Sequence, residues 1–173
     1  MSKENISLII GLGNPILGDD GIGWVIAEEV KKIINESPEL LQGEYEIIFL
    51  SLGGLSLMEQ MEGYSKVFVI DSIHSGSYPK GTIFSLPLSR LPNLSSGHST
   101  AAHDTSLANA LKLGKMMDIV LPEEVWVFAL ETDEIYTFSE DISAELTSVI
   151  PSALDIIKSI LMDEKPQEQI IEP

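Results

Sequence analysis

The chain has 173 residues, 44% hydrophobic and 21% charged, a length and balance that suit one compact domain with its own core. Ten Lys and Arg against 27 Asp and Glu leave a formal net charge of −17, which argues against a nucleic-acid partner and against anionic membranes, since both need a basic surface. With no cysteine there are no disulfides and no thiolate metal sites, so any metal must be held by oxygen and imidazole.

Residues 6–10 are an apolar run ending in Gly-Leu-Gly, which predicts a buried strand feeding a tight turn. From 22 to 34, the residues Ile22, Val25, Ile26, Val30, Ile33 and Ile34 fall at helical spacing, with Glu28, Glu29, Lys31 and Lys32 on the polar face. A second strand is predicted at 45–50, after which Gly53-Gly54 turns the chain into a short helix near 56–61. A third, fully apolar strand at 67–70 ends at Asp71. A Ser- and Gly-rich loop at 72–80 leads to a short fourth strand at 82–86. A polar loop at 91–102 precedes a helix at 106–113, with Asp104 or Thr105 as its cap. A fifth strand at 125–130 ends at Glu131. Residues 144–161 have helical periodicity through Leu146, Ile150, Leu154, Ile157 and Leu161, and Pro151 predicts a kink or a restart. The polar, proline-containing segment 164–173 reads as a disordered tail.

Strands alternating with helices predict a single α/β domain over residues 1–163, with a mostly parallel five-stranded twisted sheet and helices on both faces. No apolar run approaches the roughly 20 residues that cross a bilayer. The N-terminus lacks a signal peptide's long apolar region and cleavage site, so a cytoplasmic protein without membrane insertion is expected.

Sites in such sheets form at the carboxyl ends of the strands. The residues expected there are Asn14, Asp19 and Asp20 after the first strand, Asp71 after the third, and Glu131 and Asp133 after the fifth. The Gly11-Leu12-Gly13 turn invites a dinucleotide reading, but Ile16 stands where the third glycine is needed, and Asp19 and Asp20 would repel a pyrophosphate. An acid opening a helix is often only a cap. Two adjacent acids exceed what a cap requires, and their repulsion invites a cation. Of His74, His98 and His103, the last stands at the start of a helix, where its imidazole would be held in place. Two carboxylates and one imidazole suit Ni²⁺, Zn²⁺ or Mn²⁺ and leave coordination positions open. There is no Gly-x-Ser-x-Gly elbow to support serine nucleophilic catalysis.

The segment GLGNPILGDDGIG at 11–23, VFVIDSI at 67–73, HDTSLANAL at 103–111 and the weaker FSEDISAELTSVIPSAL at 138–154 together resemble the hydrogenase maturation endopeptidases, the C-terminal processing proteases of [NiFe]-hydrogenases. The resemblance runs from residue 8 to about residue 161. It implies an α/β fold and a peptidase, once grouped with the aspartic type, that removes a C-terminal extension from the hydrogenase large-subunit precursor after nickel insertion. It further implies Asp20, Asp71 and His103 as metal ligands. The resemblance also implies that the Ni²⁺ is presented by the substrate, and that Zn²⁺ or Cd²⁺ would substitute for it in a crystal. Asp20 and Asp71 are the candidate catalytic carboxylates, Asp19 is a further candidate base, and the choice stays open. Asn14 is expected to pin its loop, with Gly53 and Gly54 on the substrate side. The family's Asp-Gly-Gly-Thr-x-Gly after the second strand is LGGLSL here, keeping Gly53 and Gly54 but losing the acid, the threonine and the last glycine. That divergence leaves a non-cleaving, nickel-sensing binding module as an alternative. The GLGNP opening is also similar to the peptidyl-tRNA hydrolases, but the histidine of their following segment is missing and the acidic charge is wrong for tRNA.

Overall fold

Along β1 (Lys3–Leu12), Leu8, Ile10 and Leu12 enter one core and Ile9 enters another, the two-residue alternation of a strand covered on both faces. The computed structural model describes residues 3–93, 102–133, 138–162 and 165–173, with only the backbone described at 4, 92, 93 and 102–106. β1 pairs in parallel with β2 (Glu44–Leu50) on one side and β3 (Tyr64–Ile73) on the other, and β3 pairs in parallel with β5 (Glu124–Glu131). β4 (Ile83–Pro87) is antiparallel to β5, and β6 (Gln169–Ile171) is antiparallel to β4. The sheet order is β2-β1-β3-β5-β4-β6.

Helices α1 (Ile22–Glu36) and α4 (Ala144–Leu161) cover the face carrying Ile9, Ile70 and Phe128. Helix α2 (Gly54–Gln60) and helix α3 (Ala102–Met116) cover the opposite face, where Leu57, Met61 and Leu107 pack on Leu8, Val69 and Val127. The fold is the expected single α/β domain with a mostly parallel sheet, but the described residues form six strands rather than five. The sixth lies in the segment expected to be a disordered tail: Ile170 sits opposite Phe84, and Ser85 Oγ donates to the Gln167 carbonyl. An edge strand such as β4 presents unsatisfied backbone groups, and the tail satisfies them, a pairing across more than 80 residues that local composition does not reveal.

Two helix boundaries also differ. α3 begins at Ala102, so Asp104 and Thr105 lie within its first turn rather than capping it. Acids are stabilised throughout a helix's first turn, so their presence does not mark its starting residue. α4 runs unbroken through Pro151 with no restart, because Leu146 on one side of the proline and Ala153 and Ile157 on the other are buried in the same core.

The first turn of α1 rests directly on the sheet. A Cβ on Gly23 would stand 2.2 Å from the Leu12 carbonyl oxygen and 2.3 Å from that of Ile70. Gly23→Ala therefore forces backbone apart and is expected to destabilise the protein by about 3 kcal/mol in urea unfolding, the upper end of overpacking costs. Gly43→Ala is the control, since its Cβ meets nothing closer than 3.9 Å and should change stability by less than about 0.5 kcal/mol.

Candidate functional site

From β1 the chain passes to β2 on one side and then returns to β3 on the other, so the carboxyl ends of β1 and β3 form the point where strand order reverses. Open α/β sheets place their ligand sites in that crevice. Gly11 pairs with Ile70, which sets Asp71 level with the last residue of β1. After β1, the Asn14 amide donates to Asp20 Oδ2 at 2.8 Å, and Asn14 Oδ1 accepts the Ile16 amide at 3.2 Å. The loop thus closes into a 3-10 turn (Gly18–Gly21) that delivers Asp20 beside β3. Gly13, with φ +129°, permits this: a Cβ there would stand 2.0 Å from the Asp20 carbonyl oxygen.

Ser72 joins the two candidate carboxylates. Its hydroxyl donates to Asp20 Oδ1 at 3.0 Å, and its amide donates to Asp71 Oδ1 at 2.8 Å. Asp71 is buried and Asp20 is half-buried. The sequence reading missed Ser72, whose only signal is its place directly after a strand-end acid.

Asp19 belongs to a different network. Its Oδ1 accepts the Ser143 amide at 2.7 Å, and its Oδ2 accepts the Ser143 hydroxyl at 2.9 Å and pairs with Lys80 Nζ at 2.7 Å. Lys80 Nζ also lies 3.2 Å from Asp133. Ser143 is the cap residue of α4, so Asp19 ties the first loop to that helix. Burial of Asp19 works to raise its pKa, but the Lys80 ammonium and the two Ser143 donors outweigh it and hold the carboxyl below the usual aspartate range. Lys80 is shifted upward: burial opposes its charge, and hydrogen bonds to Asp19 and Asp133 more than restore it. Asp19 is thus engaged structurally on both oxygens.

Glu131, at the end of β5, is buried and accepts the Ser75 amide and hydroxyl, each at 2.8 Å, and the Gly76 amide at 3.0 Å. It orders the β3–β4 loop. In the same loop, His74 Nδ1 lies 2.8 Å from the Thr132 carbonyl, to which it donates. Gly53 and Gly54 start α2 at the end of β2, with Gly54 at φ +59°.

His98 and the side chain of His103 lie outside the described residues. The His103 backbone is in the first turn of α3. The later part of α3, from Ala108 to Lys115, lines a cavity wall with Glu124 and Val125 at the start of β5. α3 ends at Met116, shortly before β5 begins at Glu124, a short connection that returns the chain across the sheet. Among the described residues no three carboxylates or imidazoles cluster to hold an ion, and Asp20 and Asp71 are met there as a pair bridged by Ser72.

The lowered pKa of Asp19 has a pH consequence. A carboxyl whose folded pKa is below its unfolded value stabilises the fold above roughly pH 4, and that contribution is lost as pH falls through the lower, folded pKa. Asp19→Asn should lower stability at pH 7 by about 2 kcal/mol, in the range for hydrogen bonds to charged groups. It should also flatten the loss of stability as pH falls below about 4, measured by urea unfolding across pH.

With the geometry in place, comparison with known proteins gives a consistent result. The model of the HycI hydrogenase maturation protease family matches residues 24–160, a span that holds Asp71 and His103 and starts shortly after Asp20. A Methanocaldococcus jannaschii protein assigned to the hydrogenase maturation proteases is 32% identical over 114 residues, 65% of this chain and 68% of its own. The fold is shared with the hydrogenase maturating endopeptidase HybD of Escherichia coli, at a TM-score of 0.72 and 22% identity over 90% of this chain and 91% of that one. It is also shared with the [NiFe] hydrogenase maturation protease HybD of Thermococcus kodakarensis, at a TM-score of 0.65 and 21% identity over 90% and 98%. The family match spans most of the domain and both sheet faces, and the chain belongs to the hydrogenase maturation proteases.

Proposed function

We propose that this chain is the cytoplasmic endopeptidase that removes the C-terminal extension of a [NiFe]-hydrogenase large-subunit precursor once that precursor holds its nickel. The supporting observation is the Asp20–Ser72–Asp71 array at the crevice between β1 and β3. Two carboxylates joined at one strand-end site through Ser72 suit a divalent cation arriving from outside. Asp20, Asp71 and His103 are the ligands for the nickel carried by the precursor, and Asn14 fixes the loop that presents Asp20. Gly53 and Gly54 border the same carboxyl edge at the end of β2.

Hydrolysis adds water across one peptide bond. The water oxygen bonds to the carbonyl carbon, the carbon–nitrogen bond breaks, and the amine nitrogen takes a proton. The base for that water is drawn from Asp20 and Asp71, since Asp19 is engaged by Lys80 and Ser143.

Incubation with nickel-loaded precursor, followed by intact-mass measurement, tests the proposal. The wild-type chain should shorten the precursor, and nickel-free precursor should remain whole. Asp71→Asn and His103→Ala should each slow processing by more than the about 10–100-fold that loss of an outer-shell metal partner costs. A stable complex that is never cut would replace the peptidase with a nickel-sensing binding module. Full processing by His103→Ala would remove that residue from the ligand set.

A further inference from the structure

Ser72 puts a hydroxyl near the end of a strand that is otherwise almost wholly buried and apolar from Val67 onward. The alternation of β3 decides where that hydroxyl goes. Phe68 and Ile70 face the core under α1 and α4, and Ser72 follows them on that side. Val67, Val69 and Ile73 face the core under α2 and α3, and Asp71 follows those. Asp20, on the turn that leads into α1, meets Ser72 on the α1 side. The two candidate carboxylates therefore reach the strand end from opposite faces of the sheet.

Ser72 joins them through two different groups. Its backbone amide donates to Asp71 Oδ1 at 2.8 Å, and its side-chain hydroxyl donates to Asp20 Oδ1 at 3.0 Å. The other oxygen of Asp20 accepts the Asn14 amide at 2.8 Å. With a donor on each oxygen, the Asp20 carboxylate cannot rotate without losing a hydrogen bond. An ionised carboxylate has roughly four acceptor positions, so these two donors leave room on both oxygens for a cation. Hydrogen-bond partners of a metal-binding carboxylate act in this way, fixing its orientation while the ion takes the remaining positions.

We propose that Ser72 is a positioning residue whose hydroxyl sets the Asp20 carboxylate in the orientation that receives nickel. This rests on the reading of Asp20 as a ligand for that metal. The amide that holds Asp71 is supplied by any residue except proline, so only the hydroxyl is specific to serine. Ser72→Ala therefore separates the two carboxylates: it releases Asp20 Oδ1 and keeps the bond to Asp71.

The full chain is compared with Ser72→Ala, Ser72→Thr, Ser72→Val and Ser143→Ala. Each is titrated calorimetrically with Ni²⁺ alone, assayed for cutting of nickel-loaded precursor, and melted thermally. Ser72→Ala should bind Ni²⁺ about tenfold more weakly and lose about as much in kcat/KM, the lower end of the cost of losing an outer partner of a metal ligand. Ser72→Thr keeps the hydroxyl and should recover most of both. Ser72→Val has the shape of threonine without the hydroxyl and should behave as alanine does, which keeps the comparison valid if alanine alone disturbs the fold. Ser143→Ala removes a donor from Asp19 and should melt lower with its Ni²⁺ affinity unchanged. Equal Ni²⁺ affinity in Ser72→Ala and wild type overturns the positioning role, even where the alanine variant melts lower, and normal cutting then leaves the peptidase standing. Weakened Ni²⁺ binding in Ser72→Ala, with no cutting by any form, supports the positioning role and overturns the peptidase. A wild-type chain that binds no Ni²⁺ overturns the positioning role, and if it also fails to cut it overturns both.

Discussion

The absence of a side chain at residue 23 is the constraint on which the site depends. It lets the first turn of α1 sit against the carbonyls of Leu12 in β1 and Ile70 in β3 at once. One helix end thereby fixes the carboxyl ends of two neighbouring strands relative to each other. The loop between β1 and α1 is then short and confined. Gly13 donates to the Leu50 carbonyl and accepts from Ser51, so β2 holds the same loop from the other side. Trp24 Nε1 also reaches the Leu50 carbonyl. Three strand ends converge on a single turn, and Asp20 leaves that turn with little freedom. Preorganisation of this kind lets a site meet its ligand without reordering itself.

Adjacent acids in one turn have separate tasks. Asp19 is neutralised by Lys80 and bound by Ser143, so it is an internal tie among the first loop, the β3–β4 loop and α4. The hydrogen bonds to Asp20 come from a backbone amide and a serine hydroxyl, which satisfy its oxygens without cancelling its charge. Exchanging these environments would leave a buried unpaired charge at one position and a neutralised site at the other. The Lys80 pair is therefore what allows two carboxylates to stand side by side in the sequence while only Asp20 faces the crevice array.

Features written in local pattern were legible in the sequence. The alternating or fully apolar runs of β1, β3 and β5 and the 3.6-residue stripe of α1 are each repeated within a few positions, so they show without a partner. Features that exist only through distant partners were not. β6 is three residues long and is a strand because β4 lies beside it. The role of Asp19 depends on Ser143, 124 positions away, and Ser72 becomes informative only when the β1–α1 loop folds against β3. Asp20 and Asp71 could be placed at strand ends from the pattern alone, whereas their connection through Ser72 could not. Glu131 was found by the same strand-end reasoning, but its oxygens are taken by Ser75 and Gly76, so position at a carboxyl end does not by itself confer a functional role.

The divergent segment after β2 can be understood in these terms. Its two glycines are kept where α2 begins, and Gly54 has the positive φ that a side chain would oppose. Leu57 and Met58 are buried between α2 and the sheet, so these apolar residues serve the core. Leu55 is 51% exposed at the start of α2, where the related pattern carries threonine. The change therefore leaves the turn in place while making the carboxyl edge more apolar at Leu55. In a strongly acidic chain, an exposed apolar side chain at that edge favours contact by shape over contact by charge.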